Sequence, residues 1–263
     1  MTIDYTKLFV PWKEYAKERN FSDTFIYYIS NSVQRLVFLG VRHSFDPTEH
    51  LFEVIRGEWG DFLKKTKSDR RLVFIEGKLR KNEASEELSI RHHGEGGLVT
   101  YLANRAGCEI VCPEPSESKI ARSLTADFPK EDILYNRIAS SMLHFFRPGM
   151  PSREEYVTNV LSYLQKTWAW PNFVFSYANI KGIHKKRFGS EFETADRDFF
   201  MRQTAPIFEN GTYNEISRRE SDIRDTVIVG HIKKYWDKGQ SCFLVFGSAH
   251  AVRQEPALRS LLL

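Results

Sequence analysis

Val37-Phe38-Leu39-Gly40-Val41-Arg42-His43 decides the fold, because the chain uses the same phrase again at Leu244-Val245-Phe246-Gly247-Ser248-Ala249-His250. Each copy is a run of apolar, β-favouring residues broken by a glycine, with a histidine three positions later. Such a run reads as a strand buried on both faces, the kind found inside a parallel sheet covered by helices. The glycine lets the backbone turn or lets a ligand come close. A histidine just beyond the strand lies at the carboxyl edge, where open α/β sheets place their ligand sites. His43 and His250 are therefore expected to face one shared pocket from opposite ends of the sequence.

Two further strands are expected between the copies. Arg71-Leu72-Val73-Phe74-Ile75 runs into Glu76-Gly77, and Glu109-Ile110-Val111-Cys112 runs into Pro113-Glu114-Pro115. Each ends on an acid, and the prolines flanking Glu114 fix its backbone. Glu76 could otherwise pair with Lys78 or cap a helix. Before Arg71, Asp46-Pro47-Thr48-Glu49 has the form of an N-cap, a first helical residue and a capping-box acid. Leu51, Phe52, Ile55, Trp59, Phe62 and Leu63 follow at helical spacing. Strand, helix and strand with short links predict a parallel crossover, with the helix N-terminus and its partial positive charge beside His43.

His92-His93-Gly94-Glu95-Gly96-Gly97 reads as a glycine-rich turn opening a helix. It offers backbone N–H groups to an anion and lacks the Gly-Lys-Ser/Thr ending of a P-loop. His92 or Glu95 could reach a metal or substrate from there, or the two histidines could simply face solvent. Ile133 to Phe146 and Val157 to Trp168 keep helical spacing. From Trp168 to Thr212 the chain is aromatic and basic with poor periodicity, which predicts a helical insertion or lid over about 128–212. His184-Lys185-Lys186-Arg187 within it reads as a solvated loop rather than a nucleic-acid footprint. Ser217-Arg218-Arg219-Glu220 has capping-box form and predicts a helix with Ile223, Val227, Ile228, Ile232, Tyr235 and Trp236 inward. Arg224 points partly inward on it, so an acid or an anionic ligand is expected nearby.

At 263 residues, 41% apolar and 27% charged, the chain has ordinary globular usage, which excludes disordered and fibrous classes. It carries no apolar run long enough to span a membrane and no signal-like start, so membrane association is not expected. Three cysteines suit a reducing cytoplasm better than a disulfide framework, and Cys108 and Cys112 read as structural. Residues 1–30 are rich in aromatics and predict an arm of one or two helices, packed on the body or pairing a homodimer. Residues 31–263 are expected to form one α/β domain carrying the insertion.

Taken together, Gly40-Val41-Arg42-His43, Gly247-Ser248-Ala249-His250, Phe74-Ile75-Glu76-Gly77, Pro113-Glu114 and Arg224-Asp225 resemble the motifs of the TraB/TIKI superfamily. Erythromycin-esterase-like, ChaN-like and GumN-related proteins are its relatives. The resemblance runs in order from about Arg35 to Leu263. It implies an α/β fold with a largely parallel sheet in two related β/α halves that face each other across a cleft. It also implies a hydrolase or a binding protein. Catalytic candidates are His43, Glu76, Glu114, Arg224 and His250, and substrate-binding candidates are Arg42, His92, His93, Glu95 and Asp225. His43, His250 and Glu76 could hold a divalent ion of the Mn, Co or Zn class, which would activate water against an ester or amide of a small-molecule or peptide substrate. Alternatively a histidine could act as general base without a metal, with Arg224 stabilising the oxyanion.

Overall fold

Apolar strands form the centre of the first half of the chain. The computed structural model describes residues 4–17 and 24–263. A 3-10 turn at Tyr5–Leu8 and helix α1 (Trp12–Lys17) precede strands β1 (Thr24–Ser30) and β2 (Arg35–Val41). Helix α2 (His50–Lys65), β3 (Arg71–Ile75), α3 (Glu86–Arg105) and β4 (Glu109–Val111) follow. Helices α4 (Glu117–Leu124), α5 (Lys130–Phe145), α6 (Arg153–Trp168), α7 (Tyr177–Phe188) and α8 (Arg197–Thr204) occupy the middle. The chain closes with α9 (Thr212–Trp236), β5 (Ser241–Gly247) and α10 (Ser248–Leu262). The protein is α/β, and no described helix is long and apolar enough to cross a membrane.

The described strands form one sheet in the order β1-β2-β5-β3-β4, parallel except for β1. The two Gly-x-x-His strands are direct neighbours, with Gly40 opposite Phe246 and Val41 opposite Gly247. Strand β5 lies between β2 and β3, so the crossover expected from β2 to β3 skips one position. The carboxyl ends of all four parallel strands consequently lie side by side.

The strands alternate, as a doubly covered sheet requires. Leu36, Phe38, Leu72, Phe74, Leu244 and Phe246 pack with Ile228, Ile232, Trp236 and Leu258 on one face. Val37, Leu39, Val73, Ile75, Phe243 and Val245 pack with Phe52, Ile55, Phe62, Leu98 and Val99 on the other. Each fully buried side chain of this size contributes roughly 1.5–3 kcal/mol, so this double core is what fixes the positions of the strand ends. Gly40 has a packing role rather than a turning one. A Cβ there would lie 2.5 Å from the Ala251 Cβ and 3.0 Å from the Ser248 Cα, so the glycine lets the first turn of α10 lie against β2.

Three local expectations are corrected. Residues 24–30 form an edge strand rather than a helical arm. Asn31 makes the link to β2 by accepting from the backbone of Val33 at 2.9 Å and of Gln34 at 2.8 Å. The rest of the expected arm at 1–3 and 18–23 lies outside the described residues. Helix α2 starts at His50 and not at Pro47, because Asp46 uses its side chain on the Thr48 backbone and hydroxyl while Glu49 accepts from the Ser44 hydroxyl. Ser217 lies inside α9 rather than capping it, where its hydroxyl accepts from Asn136 at 2.9 Å.

The chain divides into two compact units, one running up to Glu114 and resuming over Asp225–Leu263, the other Pro115–Arg224. The second is helical with a core of its own, including Leu134, Ile138, Met142, Leu161, Leu164, Phe192, Phe200 and Ile216. The basic cluster expected as a solvated loop lies on helix α7 there. His184 is fully buried, hydrogen-bonded to the Tyr135 hydroxyl at 2.7 Å and to Ser190 at 3.2 Å. Lys185 pairs with Glu191 and Arg187 with Asp132. Burial pushes the His184 imidazole below its ordinary pKa, so it is buried neutral.

Candidate functional site

The carboxyl ends of β3, β4 and β5 deliver Glu76, Glu114 and His250. One ligating atom from each lies within 4.8 Å of the others, a spacing that a single ion could draw together. Glu76 is the hub. Its Oε2 accepts from the Gly247 backbone N–H at 2.6 Å, and its Oε1 lies 3.6 Å from His250 Nε2. On the other side His43 Nε2 lies 3.9 Å from Oε2. Both Gly-x-x-His histidines therefore flank one carboxylate.

Each histidine is held from behind by an acid. His43 Nδ1 meets Glu95 at 2.5 Å, and His250 Nδ1 meets Asp225 at 2.5 Å. A carboxylate only accepts, so each Nδ1 carries a proton and donates it. In the neutral ring, each Nε2 then presents a lone pair toward Glu76. This is the carboxylate–histidine arrangement that orients metal-ligating and proton-accepting imidazoles.

The two arms differ in burial. Asp225 is fully enclosed, and its carboxylate also accepts from Arg253 Nη1 and from Gln254 Nε2, the latter at 2.7 Å. Burial alone would raise its pKa, but the charges of His250 and Arg253 and the hydrogen bonds from His250 and Gln254 outweigh that and hold it low. His43 is more open. The hydrogen bond to Glu95 pushes its pKa up against the opposing effect of burial, with the Glu95 and Glu76 charges adding to the rise. Glu95 reaches His43 because α3 breaks at Gly94, whose φ of +61° favours glycine and where a Cβ would lie 2.6 Å from the Ser44 carbonyl oxygen. The expected glycine-rich turn opening a helix is thus a kink between two helical segments.

Three of the other candidates pair with acids outside this cluster. His92 and His93 gather around Glu83, at 3.2 and 3.3 Å. Arg42 is exposed and lies 3.6 Å from Glu49. Arg224 is half-buried at the end of the helical unit, while its neighbour Asp225 belongs to the α/β unit. Asp225 and Glu95, expected to bind substrate, hold the two histidines. Sequence reading missed four groups. The Gly247 N–H is invisible in a motif. Arg253 and Gln254 could have been noticed as polar residues one turn beyond His250 on a helix that must face a core. Arg80 is half-buried beside Glu76, where its guanidinium donates to the Glu76 carbonyl at 3.4 Å, and it forms no ion pair among the described residues.

No protein-family model, curated protein or solved structure matches the chain.

Proposed function

We propose that this protein is a hydrolase that uses a divalent ion at Glu76, Glu114 and His250, with His43 as its proton-transfer residue. The observation that carries the reading is the convergence on Glu76. Two imidazole nitrogens whose lone pairs face a carboxylate at 3.6 and 3.9 Å form a stable arrangement when a cation or proton lies between them. The donor set of two carboxylates and one imidazole fits the Mn, Co or Zn class. When bound, such an ion would polarise a carbonyl and lower the pKa of water. This set replaces the expected trio of His43, His250 and Glu76, because Glu114 joins the cluster while His43 stands at its edge.

The protein's own groups supply the rest. Glu76 Oε2 is fixed by the Gly247 N–H, which leaves Oε1 directed toward His250. His43, oriented by Glu95, takes a proton from the attacking water and returns it to the leaving group. Arg80 is a cation beside Glu76 that can meet a developing oxyanion. The resemblance to the TraB/TIKI superfamily, with its two related β/α halves, supports an ester or amide of a small molecule or peptide as substrate.

The test is to purify the protein without chelator and measure bound metal. A panel of ester, peptide and phosphoester probes is then assayed with and without Mn, Co or Zn. About one ion per site and chelator-sensitive turnover are expected. Turnover that ignores chelator would replace this reading with a metal-free histidine mechanism.

A further inference from the structure

Arg253 lies one turn beyond His250 on α10 and is 3% exposed. A buried guanidinium needs each of its faces and donors satisfied, and here the N-terminal segment supplies much of what satisfies it. Its Nη1 donates to Asp225, the carboxylate that holds His250. Its Nε donates to the Val10 carbonyl at 3.1 Å, and its own backbone carbonyl accepts from the Val10 N–H at 3.0 Å. Its guanidinium carbon sits 4.4 Å from the centre of the Trp12 ring. The Trp12 indole N–H is buried with no acceptor among the described residues, so Trp12 is placed for its ring face and not for a hydrogen bond. Farther along, the Tyr15 hydroxyl lies 3.4 Å from the Ser248 hydroxyl inside the second Gly-x-x-His motif.

We propose that the segment from Val10 to Tyr15 is a latch that positions His250 through Arg253 and Asp225, making Arg253 and Trp12 positioning residues of the metal site. The inference rests on the reading of that site as metal-binding. The chain of contact is continuous: indole face, guanidinium, carboxylate, imidazole Nδ1, and finally Nε2 at the cluster. Removing the indole opens the Arg253–Asp225 pair to water, which competes for the same oxygens and frees the Asp225 carboxylate to rotate. His250 then loses the carboxylate that selects its Nδ1–H form, and with it the fixed direction of its Nε2 lone pair.

A buried ion pair that served only the fold would affect stability and leave the ring unaffected, so the test reads the ring. Imidazole nitrogen NMR on full-length protein reports the His250 tautomer, and zinc competition reports site affinity. Both are measured in wild type, Trp12→Ala, Trp12→Phe and Arg253→Lys, with circular dichroism confirming the fold. Wild type should show one Nδ1-protonated form. Trp12→Ala should show a mixture of tautomers and an affinity about tenfold lower, the lower end expected when a partner behind a metal ligand is disturbed. Trp12→Phe, which keeps an aromatic face, should recover most of the loss. Arg253→Lys keeps the charge but not the fork and should resemble Trp12→Ala. If Arg253→Lys does not fold, the Trp12 pair decides. A folded Trp12→Ala with an unchanged His250 tautomer and affinity would overturn the latch. If wild type takes up no zinc, the metal reading fails, and the tautomer comparison alone then decides the latch.

Discussion

The two carboxylate–imidazole arms have the same wiring and different surroundings. In one, His43 is 56% exposed at its side chain, and Glu95 behind it is 12% exposed. In the other, His250 is 10% exposed and Asp225 is fully buried. The exposed arm comes from a loop after β2 and a kinked helix, and it can approach a substrate and exchange protons with solvent. The buried arm is braced by α9, α10 and the N-terminal segment, and it suits a group that must not move. On the proposed reading, the same carboxylate–imidazole pairing would serve two tasks, divided by burial.

Removing Asp225 should have the largest effect. Asp225→Ala leaves Arg253 buried without its carboxylate, and breaking a buried pair in this way costs about 3–5 kcal/mol. Urea unfolding should show a loss of that size together with loss of metal uptake. The matching change in the exposed arm, Glu95→Gln, should change stability by less than about 1 kcal/mol. It should nonetheless lower turnover about 100-fold, the lower range for a disabled general base, with the ion retained. Equal stability losses in the two variants would erase the distinction.

Much of this arrangement was legible in the sequence, and what was not has physical reasons. The four parallel strands announced themselves because a doubly covered strand is apolar at every position, and their terminal residues identified His43, Glu76, Glu114 and His250. Strand β1 escaped because Tyr28 is exposed between buried Tyr27 and Ile29, so burial alternates at the sheet edge while the aromatic and apolar sequence does not. Its β-branched and aromatic content, followed by the Asn31 turn, was the available signal. The acids behind the histidines could not be paired from sequence, since Glu95 lies 52 residues from His43 and Asp225 25 residues from His250. Only the kink at Gly94 and the packing of α9 beside α10 bring them together.

A gentler change acts on the space between the arms. A Cβ on Gly247 would lie 3.3 Å from Glu76 Oε2 and 3.4 Å from His43 Nε2, close enough to push both but not to exclude them. Gly247→Ala should cost under about 1.5 kcal/mol, tenfold at most in zinc affinity. A larger loss would mean that Glu76 has no freedom to adjust.

The smallest effect is expected at a third histidine. His184 is buried like His250 but meets a tyrosine and a serine instead of a carboxylate, and its pKa is lowered where that of His43 is raised. The unfolded chain therefore binds a proton that the folded helical unit refuses. Stability should rise with pH between the lowered folded value and the ordinary 6.5, and fall again on acidification through that window. Melting His184→Gln beside wild type at pH 7.5 and 5.5 should show the slope flattened in the variant. An unchanged slope would place the protonation elsewhere.

The central claim is that the buried histidine holds the ion while the exposed one moves protons. Zinc uptake per chain, measured by competition on His43→Ala and His250→Ala in parallel with wild type, tests it most directly. The account predicts that His250→Ala loses the ion and that His43→Ala keeps about one ion per site while losing turnover. It would be contradicted if His250→Ala bound zinc as wild type does, or if both variants lost the ion equally.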